Sequence, residues 1–282
     1  MTTPKDIIKR YDIKPRKKLG QSFLLDQNII QKTAAAADID KEDVVVEIGA
    51  GIGVLTENLA QRSRKLIAVE LDEKLVEILK EKLARYDNAE VYSGDILKFD
   101  FNSISNTYNC KLKVIGNVPY NISSPLIFHL LDSREAISGF ILMLQKEVVE
   151  RLAAVPGKKN YGVPSVLLQM FASVEKMFDI PSSCFYPRPK VESAVIRGTF
   201  LEKPLMELSN AVFFTKLVKA SFAQRRKMLI NNLKNFRLLS EIDEKRIKEI
   251  LDNAGIDGRR RGETLTVEEF GNLSNLFCET NS

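Results

Sequence analysis

Seven consecutive residues, Asn117-Val118-Pro119-Tyr120-Asn121-Ile122-Ser123, have the types and spacing to hold the exocyclic amine of a flat base. Such an amine, the N6 of adenine for example, is a poor nucleophile because its lone pair is delocalised into the ring. Two hydrogen-bond acceptors that draw the nitrogen out of conjugation correct this. The Asn117 side-chain oxygen is one candidate, and the carbonyl of Pro119, whose ring fixes φ at about −65°, is the other. Tyr120 adds an aromatic face on which the base can stack. The competing reading is a Pro-Tyr turn that closes a strand, since Asn and Pro both favour turns. The surrounding elements bear on the choice.

A clamp of this kind must stand at the end of a rigid element. The β-branched run 43–48 predicts a strand that feeds the turn Gly49-Ala50-Gly51-Ile52-Gly53. Further strands are predicted at 66–70, 90–92 and 112–115, with helices at 54–62 and 72–85 between them. The last of these strands ends just before Asn117. Strands and helices that alternate in this way predict a parallel, doubly wound α/β sheet of the Rossmann-like type, with ligands at the carboxyl ends of the strands. Farther along, helices are expected at 124–132, 143–154 and 164–175, a buried strand at 140–144, and late strands at 175–180 and 194–200. The segment 205–282 reads as helical throughout, with runs at 208–235, 240–254 and 266–278. The expected organisation is a basic N-terminal arm at 1–20, a catalytic domain at 21–203 and a small all-helical domain at 204–282.

The glycine turn has the spacing G-x-G-x-G, with Val54 where the dinucleotide fingerprint has its third small residue. It permits close backbone approach of a ligand through Gly49 and Gly51 without specifying a pyrophosphate. Glu70 closes the next strand, where a carboxylate can accept hydrogen bonds from both hydroxyls of a ribose. NAD and S-adenosylmethionine both carry one. Asp95 can accept from an adenine amino group, and Leu71 and Ile96 can sandwich its ring. Glu47, just before the turn, repels a pyrophosphate and suits the cationic methionine end of S-adenosylmethionine. Jointly these favour the methyl donor.

Composition narrows the field. The 282 residues are 44% hydrophobic and 28% charged, and no apolar run reaches the roughly 20 residues a bilayer span needs. No secretory or transit signal is recognisable, so a cytoplasmic protein with no membrane contact is expected. Cys110, Cys184 and Cys278 are too scattered for a zinc site, and no metal is expected. His129, the one histidine, lies in an apolar run and reads as a packed helix residue. The net charge of +5 is unevenly placed. Residues 1–20 hold seven Lys and Arg against two Asp, residues 21–204 hold 22 against 24 acids, and residues 205–282 hold 13 against 11. Basic ends around a slightly acidic middle suit a polyanion, although a solvated basic tail has the same composition. Candidate phosphate contacts are Lys17 and Lys18 in the arm, Lys219, Arg226 and Lys227 on the polar side of the run 214–233, and Arg260 in a later cluster. Arg225 falls within the apolar arc of that run, so it is either an interdomain partner or a sign that the helix ends earlier.

Lys18-Leu19-Gly20-Gln21-Ser22-Phe23-Leu24-Leu25-Asp26 precedes the first strand. Together with Glu47-Ile48-Gly49-Ala50-Gly51, Glu70-Leu71-Asp72, Gly94-Asp95-Ile96, the clamp itself and Pro187-Arg188-Pro189-Lys190-Val191-Glu192-Ser193, it resembles the ribosomal RNA adenine dimethyltransferases nearly end to end. Phe222-Ala223-Gln224-Arg225-Arg226-Lys227 and Arg261-Gly262-Glu263 are similar to the small-subunit branch of that family rather than the large-subunit branch. The resemblance implies transfer of four methyl groups, two to each N6 of two adjacent adenines near the 3′ end of small-subunit rRNA, with the small ribosomal subunit as partner; a monomer is expected, since nothing in the sequence suggests an obligate dimer. It implies a donor site lined by Ser22, Leu24, Gly49, Glu70, Asp95 and Asn117, an amine held by Asn117, Pro119 and Tyr120, and Phe185 stacked on the other face of the adenine. Ser22 stands where the family usually has Asn. The alternatives are an amine methyltransferase acting on DNA, a small molecule or large-subunit RNA, and a non-catalytic nucleic-acid-binding assembly or transcription factor on the same fold.

Overall fold

The computed structural model describes residues 3–236, 239 and 242–280. Nine strands form among them: β1 Phe23–Leu24, β2 Val44–Ile48, β3 Lys65–Glu70, β4 Ala89–Ser93, β5 Leu112–Asn117, β6 Ile137–Gln145, β7 Ala172–Ile180, β8 Phe185–Tyr186 and β9 Ser193–Phe200. Seven of them make one sheet in the order β4-β3-β2-β5-β6-β9-β7, and β1 pairs with β8 in a small ribbon. The first five sheet strands are parallel neighbours, as the alternation with helices predicts. β2 is buried along its whole length, which is why Val-Val-Val-Glu-Ile reads as a continuous apolar run rather than an alternating one. The late strands make the sheet mixed, because β9 runs antiparallel to β6 with Val195 opposite Met143. β9 follows β7 after a link that contains no crossover helix, and a parallel neighbour requires such a crossover.

The chain builds β2, β3 and β4 outward in one direction and then returns to lay β5 and β6 on the other side of β2. The switch point therefore lies between the carboxyl ends of β2 and β5, where a doubly wound sheet opens a crevice. Gly49 follows β2 and Asn117 ends β5, so the glycine turn and the amine clamp face the same opening.

Two compact units are present, one of residues up to 149 with Glu175–Phe200, the other of Glu150–Val174 with residues from 201 onward. In the first unit the basic arm is folded from residue 3. Pro4–Arg10 is a helix capped by Thr3 and Asp6, and Ile7 and Ile13 are buried with Phe23, Ile52, Leu75 and Ile78. Helices at Gln27–Ala36 and Phe101–Tyr108 had not been expected; Asp26 and Asp100 cap their first turns. His129 is packed as anticipated, on the helix Ser123–Asp132 with its Nε2 2.9 Å from the Phe99 carbonyl.

In the second unit, residues 150–174 cluster with the C-terminal helices: Leu205 N–H donates to Met170 O at 2.8 Å, and Tyr161 packs against Phe222. The expected helix at 164–175 ends at Gln169, and the expected single helix at 208–235 is two, Ala211–Ser221 and Leu229–Lys234. The break explains Arg225. A continued helix would drive its guanidinium into the apolar face; the intervening turn sends it instead to Glu263 Oε2 at 2.7 Å and to the carbonyls of Lys159 and Tyr161 at 2.7 and 3.3 Å. Positions 240 and 241 of the helix expected at 240–254 lie outside the described residues, and the helix observed is Glu244–Asn253. No described helix is long and apolar enough to cross a membrane.

Candidate active site

A cavity of about 180 Å³ occupies the switch point, lined by residues 19–23, Gly49, Gly51, Glu70, Leu71, Gly94 to Leu97 and Asn117 to Ile122, among others. Of the expected site residues it brings together Ser22, Gly49, Gly51, Glu70, Leu71, Asp95, Ile96, Asn117, Pro119 and Tyr120.

The glycine turn is built for close approach. Gly49 and Gly51 have φ of +62° and +59°, a region L side chains rarely adopt, and a Cβ on Gly49 would sit 3.2 Å from the Asn117 carbonyl oxygen. Glu70 fixes this turn from the next strand: its Oε2 accepts from Gly51 N–H, and its Oε1 from the N–H groups of Leu71 and Asp72, all at 2.9 Å. Burial pushes the Glu70 carboxyl above its ordinary pKa, against the pull of those three amides. Each carboxylate oxygen can accept two bonds, so Oε1 is filled and Oε2 has one position left. A ribose diol thus meets one ready acceptor here, not two.

Asn117 Nδ2 donates to the Ser22 carbonyl at 2.8 Å. Only an N–H can face a carbonyl, so this bond fixes the amide and turns Oδ1 the other way as a dedicated acceptor. Pro119, with φ −55°, starts a single helical turn, and its carbonyl already accepts from Ile122 N–H at 3.1 Å while keeping a second lone pair. The Tyr120 hydroxyl is 2.6 Å from Ser193 Oγ, which pins the ring. Burial raises the Tyr120 phenol above its usual range, against the opposing bond with Ser193, so the hydroxyl stays neutral. Asn117, Pro119 and Tyr120 thus line one cavity, with two acceptor oxygens and an anchored aromatic ring among their atoms.

Four of the expected residues have other surroundings than their assigned roles suggest. Leu24 and Phe185 do not reach the cavity: they oppose each other in the β1–β8 ribbon and are 1% and 3% exposed in the core. Side chains alternate across a strand, and these two point to the core side. The Ser22 hydroxyl donates to the Pro187 carbonyl at 3.0 Å, so Ser22 serves the site through its own carbonyl. Glu47 lies behind the glycine turn, 2% exposed, and does not line the cavity. Burial raises its pKa to about 8, while Thr56 and Lys82 oppose the shift and Glu70 adds to it. Neither Glu47 Oε2 nor the Thr56 hydroxyl has a hydrogen-bond partner among the described residues, so Thr56 eases the burial by its polarity without a formed bond.

Sequence reasoning missed Ser193 and Gln21. Gln21 Nε2 donates to Asp72 Oδ2 at 2.9 Å and its Oε1 accepts from Arg16 N–H at 2.8 Å, tying the arm to the end of β3. Both residues stand inside the motifs that carry the resemblance, but their partners are distant in sequence and nothing local names them. Among the expected phosphate contacts, Lys17, Lys18, Lys219, Arg226 and Lys227 are exposed. Arg260 is committed elsewhere, its Nη2 2.9 Å from Glu269 Oε2 and 2.6 Å from Thr264 O.

The residues fit an S-adenosylmethionine-sized ligand: a cradle that a Cβ would narrow, a carboxylate with a free acceptor position, Asp95 just after β4, and the apolar Leu71 and Ile96 in the same lining. The family model for ribosomal RNA adenine dimethylase matches residues 13–272. A ribosomal RNA small subunit methyltransferase A from Syntrophus aciditrophicus is 45% identical over 98% of each chain, and one from Bacillus cereus is 44% identical over 97% of this chain and 94% of its own. A dimethyladenosine transferase from Plasmodium falciparum has the same fold, with a TM-score of 0.82 and 28% identity over 92% of this chain and 98% of its own. Likeness to a 23S rRNA methyltransferase, with a TM-score of 0.70 and 24% identity over 90% of this chain and 98% of its own, extends the fold alone. The chain belongs to the ribosomal RNA adenine dimethylase family.

Proposed function

We propose that the protein transfers methyl groups from S-adenosylmethionine to N6 of two adjacent adenines near the 3′ end of small-subunit rRNA, making both N6,N6-dimethyladenosine. The reading rests on one observation above all: Asn117 lines the cavity with its Nδ2 bound to the Ser22 carbonyl, which leaves its side-chain oxygen as an acceptor without a partner among the described residues. The small-subunit names of relatives 44–45% identical over nearly full length support the substrate. The same reading expects a monomer in the cytoplasm.

Gly49, Gly51, Glu70, Leu71, Asp95 and Ile96 would hold the donor, whose sulfonium methyl is the group transferred. Asn117 Oδ1 and the Pro119 carbonyl accept the two N–H bonds of the target amine and draw its lone pair out of the ring, while Tyr120 stacks on the base. Orientation does most of the work, and no strong base is required because the released proton can pass to water. The target adenine must first leave its own stack.

The second methylation poses a problem, since a monomethylated amine has only one N–H for two acceptors. The Pro119 carbonyl keeps its bond from Ile122 when the substrate releases it, whereas Asn117 Oδ1 has no other partner among the described residues. Leaving a satisfied carbonyl costs less than orphaning an unsatisfied one. The remaining N–H therefore stays on Asn117, and the first methyl turns toward Pro119. Lys17, Lys18, Lys219, Arg226 and Lys227 supply phosphate attraction in this reading, and Arg260 supports the fold of the second unit.

Asn117→Ala removes one acceptor without touching the glycine turn. Turnover on unmethylated small subunits is expected to fall by at least about 100-fold, with donor affinity by calorimetry changing only a few-fold. Intact turnover in this variant would rule out the clamp.

A further inference from the structure

Tyr186 takes no part in the amine clamp or the glycine cradle, yet its position is unusual. In the β1–β8 ribbon Phe23 opposes Tyr186 and Leu24 opposes Phe185. Opposed residues share a face, so one side holds Leu24 and Phe185 in the main core, and the other holds Tyr186 and Phe23, which packs with Ile52 and Leu75. Phe23 lines the cavity and is 5% exposed; Tyr186 is 46% exposed. An exposed tyrosine is ordinary by itself. This one is exposed although its ribbon partner Phe23 is buried on the same face.

The segment that follows is tied to the site at both ends. Ser22 Oγ bonds the Pro187 carbonyl at one end, and Ser193 Oγ bonds the Tyr120 hydroxyl at the other. Pro187 and Pro189 fix φ between those ties. Arg188, whose Nε donates to Ser182 Oγ at 2.9 Å, and Lys190 are exposed on the same segment. The result is a stiff strip tied to two residues that line the cavity, with a protruding aromatic ring, two cations and one carboxylate, Glu192, which pairs with Lys146 at 2.9 Å. Unpaired nucleotides are bound by that combination, a π-face for the base and positive charge for the backbone. When the target adenine leaves its stack, the base beside it loses a stacking partner, and an aromatic ring fixed next to the site can replace it.

We propose that Tyr186 is a positioning residue that stacks on the unpaired nucleotide adjacent to the target adenine, through the anchored strip Tyr186–Ser193 at the rim of the cavity. The inference rests on the RNA methyltransferase reading and adds a contact outside the amine clamp.

The test is kinetic and spectroscopic. With unmethylated small subunits as substrate, Tyr186→Ala raises KM for the subunit about tenfold, the scale of one base–aromatic stack, while kcat and donor affinity stay within about twofold. Tyr186→Phe restores the parent KM. The sequence has no tryptophan, so Tyr186→Trp carries the sole indole, and its emission is quenched when unmethylated small-subunit rRNA binds, as followed by anisotropy of labelled RNA. An unchanged KM in Tyr186→Ala, or bound RNA without quenching, overturns the proposal while methylation by the parent protein leaves the broader reading standing. A parent protein that neither binds nor methylates rRNA overturns both.

Discussion

In the proposed reaction Asn117 acts through its far atom. The bond from Nδ2 to the Ser22 carbonyl removes the freedom of an amide to flip, and converts an ordinary Asn into an acceptor of fixed direction. The place of Asn117 at a strand end was legible from residue type and spacing, although a Pro-Tyr turn fits the same residues. The Phe185 role was not legible, because whether an aromatic points to a cavity or the core depends on strand parity, and β8 is too short to show a pattern in the sequence. Glu47 was misjudged for a related reason: a charge in an apolar strand suggests a ligand, but here the fold buries it. Its carboxyl ordinarily titrates at 4.5 and is raised to about 8 in the folded chain. Between those values the unfolded chain has lost the proton and the folded one keeps it, so this group's contribution is complete below about pH 4.5 and is lost as pH rises toward about 8. Glu47→Gln, which cannot ionise, is therefore expected to gain stability over the parent by on the order of 1 kcal/mol per pH unit across that window. Denaturant titrations at several pH values measure this, and parallel stability curves would contradict the buried-acid account.

Elements explain why the clamp and the cradle meet. Parallel strands put all their carboxyl ends on one edge, and the reversal of direction at β2 and β5 opens that edge. The alternation of β-branched and helical runs made this half of the fold readable in advance. The helical unit was harder, because amphipathic periodicity continues across a turn; the run 208–235 reads as one helix although residues 222–228 break it. Arg225 in the apolar arc was the only local sign of the break. Its guanidinium ties the turn to Glu263 and to the carbonyls of Lys159 and Tyr161, while Gly157 N–H donates to Glu263 O at 2.7 Å. Arg225→Ala should cost about 1–2 kcal/mol, because carbonyls lose a charged donor in a partly exposed setting. Hydrogen exchange at Gly157 and Tyr161 should accelerate while exchange in β2 and β3 stays the same. Unaltered exchange around Gly157 would show that the tie is not structural.

At the scale of the whole molecule, charge placement was informative and charge identity was not. Composition located the basic excess at the two ends, but only the structure separates cations that face solvent, such as Lys219 and Arg226, from Arg260, which is spent on Glu269. The double charge reversal Lys219→Glu and Arg226→Glu should weaken binding to unmethylated small subunits by roughly tenfold or more at low salt and flatten its salt dependence, with donor affinity intact. Filter binding over a salt series checks this; an unchanged slope would make these side chains ordinary surface.

The central claim joins the scales: a fixed acceptor at Asn117, a crevice at the sheet's switch point and a chain of the adenine dimethylase family together imply one product. Labelled methyl transfer from S-adenosylmethionine to unmethylated small subunits, with large subunits and free nucleotides as controls and the modified bases mapped, tests it most directly. The account predicts label only in small-subunit rRNA, as N6,N6-dimethyladenosine at two adjacent positions near the 3′ end. Label in large-subunit RNA or free nucleotides, or no transfer to any of them, would contradict it.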